Sequence, residues 1–136
     1  AKSRETGYRW WTSAGLSLLA VACCGLERFP PAKKHLTEAL QIAVDSQDHF
    51  VCISALAGTA LLLSSQGELA RALELYALAL CRPFIVNSVW YEDIVGQHIT
   101  AAAAALPPDV VATAQERGRA LDLWETAEQL VAELER

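Results

Sequence analysis

Across SSQGELARALELYALAL, residues 64–80, alanine or leucine returns every three or four positions behind a single glycine. A spacing of i, i+3, i+4 and i+7 places those side chains on one face of an α-helix, and it runs through most of the chain. No stretch reads convincingly as a strand. Helix breakers interrupt the pattern at Gly7, Pro30, Pro31, residues 45–48, Gly67, Pro83, Pro107 and Pro108. The spacing therefore predicts seven helices, near 8–28, 31–46, 49–66, 69–82, 87–105, 108–119 and 122–135. Pro31 and Pro108 suit first-turn positions, where a missing N–H costs nothing. Gly67 suits the residue just past a helix end, and Asp122 with Glu125 reads as a capping box opening the last helix.

The helices also resemble one another. Shifting residues 12–41 by 40 positions lays Leu16 on Leu56, Ala20 on Ala60, Ala32 on Ala72, Leu36 on Tyr76 and Ala39 on Ala79. A second shift of 40 puts Ala112 under Ala72, while the other matches fade. Small residues at recurring sites let two helices approach closely, and the larger one between them fills the next groove. The expected fold is all-α: antiparallel helical hairpins at about 8–46, 49–82 and 87–119, stacked in one direction, with a capping helix at 122–135. Leu123, Ala127, Leu130, Val131 and Leu134 form one stripe of this helix, while Glu125, Glu128, Glu133 and Glu135 lie mainly off it and supply the polar outer face that a terminal repeat needs.

Composition narrows the function classes. At 136 residues the chain makes one domain or a short piece of a longer array, and 53% apolar residues suffice for a core. The absence of methionine and the AKSRETG start lead us to expect a fragment of a larger protein, and that polar start is no signal peptide. The apolar runs 14–26 and 52–63 fall well short of the roughly 20 residues that span a bilayer. A net charge of −5 opposes binding to a phosphate backbone. The main basic cluster, Arg28, Lys33, Lys34 and His35, reads as a solvated helix face. No membrane or nucleic-acid partner is expected. Cys23, Cys24, Cys52 and Cys81 lack CxxC spacing and sit in apolar runs, so they read as free, buried thiols of a cytoplasmic protein.

The segment ALAGTALLLSSQGELARALELYALALCRP carries a family likeness. Leu56, Ala60 and Leu63 on one helix, Gly67 in the turn, Ala72, Tyr76 and Ala79 on the next and Pro83 closing it resemble a tetratricopeptide (TPR) repeat. The first hairpin matches more weakly, because ERFPP supplies no glycine to its turn; the third keeps Ala112 but has Glu116 where the aromatic would be. Residues 50–136, ending in ERGRALDLWETAEQLVAELE, also resemble the carboxyl-terminal sensor arrays of bacterial signal-transducing ATPases with numerous domains (STAND), including LuxR-type members. This resemblance implies a right-handed TPR-like solenoid and, elsewhere in the full protein, a nucleotide-binding module. The chain itself has no GxxxxGK[ST] loop and no basic recognition helix.

No residue set supports catalysis, a metal or a cofactor. His35, His49 and His98 show no zinc-binding spacing. His49, beside Asp48, reads as a helix-start residue and His98 as a hydrogen-bonded structural histidine. Glu92 and Asp93 point about 100° apart on a helix, which suits the helix dipole better than acid–base work. Ser64 and Ser65 have no histidine nearby to activate them. The stronger signals are aromatic: Trp10 and Trp11 on the first helix, Trp90 and Tyr91 on the fifth and Trp124 on the last, each a packing anchor or an interface residue.

In TPR arrays the first helix of each hairpin lines the concave groove. That register selects Ala14, Ser17, Val21 and Cys24, then Ser54, Ala57, Leu61 and Ser64, then Ile94, Gln97 and Ala101. The lining is small and neutral, without the Lys, Arg and Asn of a carboxylate clamp, and suits an apolar peptide, a helix or a neighbouring repeat. Trp10, Trp11, Ser17, Val21, Ser54, Ala57, Leu61 and Gln97 are the candidate partner-binding residues. The expected role is a non-catalytic protein-interaction or sensor module of a bacterial regulator; the alternative is a helical self-association domain, joined through residues 8–26.

Overall fold

The computed structural model describes residues 19–20, 22–81 and 95–135, and all its regular structure there is helical. Residues 22–25 end a first helical segment. There follow α1 (Phe29–Ser46), α2 (His49–Ser65), α3 (Leu69–Leu80), α4 (Gln97–Ala103), α5 (Pro108–Ala120) and α6 (Leu123–Glu135). The boundaries follow local chemistry. Pro30 and Pro108 lie in the first turns of α1 and α5. Asp48 caps α2 by accepting from Val51 N–H at 3.1 Å, and Asp122 caps α6 by accepting from Glu125 N–H at 2.9 Å. Each such cap contributes about 1 kcal/mol. At the α1–α2 turn Gln47 takes a left-handed conformation, and its amide donates to the Val44 carbonyl at 2.8 Å.

The 40-residue shift reappears in the backbone. Leu26 N–H is shared between the Ala22 and Cys23 carbonyls, and Gln66 N–H between those of Leu62 and Leu63. Glu27 N–H donates to Cys24 and Gly67 N–H to Ser64, both at 3.1 Å. Arg28 N–H reaches back to Cys23 and Glu68 N–H to Leu63, both at 2.8 Å. These are two copies of one Schellman turn, with a left-handed residue just past the helix end. Gly67 takes that place with φ 87°; in the earlier copy Glu27 takes it with φ 58°. The missing glycine of the first hairpin thus changes the cost of the turn and not its shape.

Burial follows the same shift for two hairpins. Ala20 and Ala60, Ala32 and Ala72, Leu36 and Tyr76, and Ala39 and Ala79 are all buried. The third departs: Ala112 is exposed, and the small buried residues of α5 are Ala114 and Gly118. A Cβ on Gly118 would overlap the Glu74 carbonyl oxygen and stand 2.9 Å from Ala77 Cβ, so α5 rests on α3 almost backbone to backbone. The buried alanine of α5 thus lies two residues beyond the expected register, since 114 is 42 beyond 72.

At the centre lies α2, which packs on α1, α3 and α4. Residues 51–62 are all buried. Its sequence from 50 to 65 contains no charged residue, and a helix apolar on every side is stable only when surrounded. No described helix is long and apolar enough to cross a membrane.

The closing helix corrects the expected order. Instead of capping the third hairpin, α6 packs along α1. Its start meets the first residue of α2, with the Trp124 and His49 rings edge-on at 5.2 Å. Its end lies beside Pro30, Lys33 and Lys34, so it runs antiparallel to α1. Leu123, Ala127, Leu130 and Leu134 are buried as the stripe requires; Val131 is only half-buried, and Thr126 joins the interior. Arg71 on α3 pairs with Glu74 at 3.1 Å and Glu133 on α6 at 3.5 Å, while Arg117 on α5 reaches Glu74 at 3.9 Å.

Candidate functional site

The candidate partner residues separate. Trp10, Trp11, Ser17 and Val21 lie outside the described residues, as do Ala14, Ile94 and the Trp90–Tyr91 pair. Ser54, Ala57 and Leu61 are buried, along with Cys24. They belong to the interior of the molecule, and none of them lines either hollow described below. The physical reason is the uncharged sequence of α2: its small residues admit neighbouring helices on every side. Ser54 is packed so closely that its hydroxyl has no hydrogen-bond partner. Gln97 and Ala101, on α4, are exposed.

An open cleft lies elsewhere. It runs between α3 and α5, encloses about 310 Å³, and is lined by Leu73, Tyr76, Leu80, Gln115, Cys81 and Arg119. A second hollow of about 370 Å³ meets it at Cys81 and Arg119 and continues over Leu78, Leu121 and Trp124. The cleft lies beside the close crossing at Gly118, since Ala77, Gln115 and Arg119 line it. The sequence signal was the pair Ala114 and Gly118, one turn apart, which marks a near approach of helices; neither residue stood on the first helix of a hairpin, where a groove was sought.

The walls of this cleft are aliphatic with one phenol and the Gln115 amide, and the Cys81 thiol and the Arg119 guanidinium stand at the junction of the hollows. The Asp122 carboxylate is occupied as the α6 cap. No histidine lines either hollow: His35 is on α1 with an unpartnered Nδ1, His49 meets Trp124, and His98 is exposed rather than the structural residue expected. Among the described residues no three His, Cys, Asp or Glu side chains gather as a metal would require.

None of the four cysteines forms a disulfide. Cys24 and Cys52 are buried and Cys23 is half-buried, but Cys81 is exposed at the end of α3, where it donates to the Ala77 carbonyl at 3.4 Å. This corrects the expectation that all four are covered. Burial, and secondarily the neighbouring Cys23, pushes the Cys24 thiol up to about 11. It stays protonated and unreactive near neutral pH.

No family model, curated protein or solved structure matches the chain.

Proposed function

We propose that this chain is a non-catalytic protein-interaction module built from stacked TPR-like hairpins, similar to the sensor array that ends bacterial STAND regulators. The observation that carries the reading is the coincidence of one Schellman turn, one burial register and one 40-residue shift. Stacked repeats produce such a coincidence because each unit buries its faces against units of the same shape. The interior position of α2 supports it further. Under this reading α6 is a strap laid along α1 and tied to α3 by the Arg71–Glu133 pair, and a partner meets the outer faces of the stack or the α3–α5 cleft, since the expected groove residues on α2 are covered.

The role in a regulator rests on the ending GRALDLWETAEQLVAELE and is tested by the gene. Sequencing upstream of Ala1 should reveal a nucleotide-binding module with a GxxxxGK[ST] loop. An upstream region without one would remove the regulator assignment and leave the interaction module. Self-association is the second reading, favoured by the exposure of Leu19 on the first helical segment and of Leu26 in the turn that follows it.

A further inference from the structure

We draw no further inference here: the strongest candidate, the open cleft between α3 and α5 with Cys81 and Arg119 at its junction with the second hollow, points to no one occupant, because the Asp122 carboxylate shares that hollow with Arg119 and nothing in the structure shows what covers the cleft.

Discussion

Glu27 and Gly67 hold the same place in the same turn, and their difference is a measurable free energy. A non-glycine residue in the left-handed region carries a steric cost of about 1 kcal/mol that glycine escapes. Glu27→Gly should therefore raise stability by about 0.5–1 kcal/mol, even though a glycine usually weakens a chain through its unfolded state. Gly67→Ala should lower it by a similar amount, because φ is 87° although there is open space around the position. Urea titration reads both; a loss of stability in Glu27→Gly contradicts the equivalence. Gly118 shows the opposite regime. In an exposed helix Gly→Ala gains about 1 kcal/mol, but here the Cβ meets the Glu74 carbonyl and Ala77. Overpacking of about 1–3 kcal/mol wins, so Gly118→Ala should lower the melting temperature. Among the thiols, Cys81 should react first with an alkylating agent at neutral pH, and Cys24 should remain unmodified until the chain unfolds. The raised Cys24 value also has a sign: its contribution to stability is complete below about 9, the unfolded value, and is lost as pH rises through about 11.

At the scale of elements, α6 decides whether the hairpins hold together. It buries Leu130 almost completely between α1 and the rest of the core. Leu130→Ala should cost about 2–5 kcal/mol, far more than loss of the Arg71–Glu133 pair, which is partly exposed and worth at most about 1 kcal/mol. Chemical denaturation of the two variants ranks them, and equal losses would contradict the packing role of α6. Much of this level was legible in the chain. The breakers at Pro30, Gly67 and Pro108 and the caps at Asp48 and Asp122 are local signals, and the helices begin and end where they act. The destination of α6 was not legible. Its apolar stripe states that one face must be covered, but a stripe of Leu123, Ala127 and Leu130 fits the end of a stack as well as the flank of α1. Register failed for a related reason. Alanine is common enough here that Ala112 matched Ala72 by identity, while Ala114, two residues on, does the packing. Ser54, Ala57 and Leu61 are buried rather than open because small neutral residues serve a lining and an interior equally well, and none of the three carries a charge that would mark it for solvent.

For the whole molecule, the central claim is that α2 is the interior helix, buried along residues 51–62 and packed on α1, α3 and α4. That arrangement sets a hierarchy of stability. Opening α2 requires separating it from α1, α3 and α4, whereas α5 rests on α3 through one narrow face and exposes most of its residues. Local opening draws on the contacts that must break, so protection against hydrogen exchange reports the arrangement directly. Native-state hydrogen–deuterium exchange, resolved by segment at low protein concentration, is the decisive measurement. The amides of residues 51–62 should exchange slowest in the chain, at the rate set by global unfolding, with α5 faster. Residues 51–62 exchanging as fast as α5 would contradict the interior placement of α2, and with it the stack.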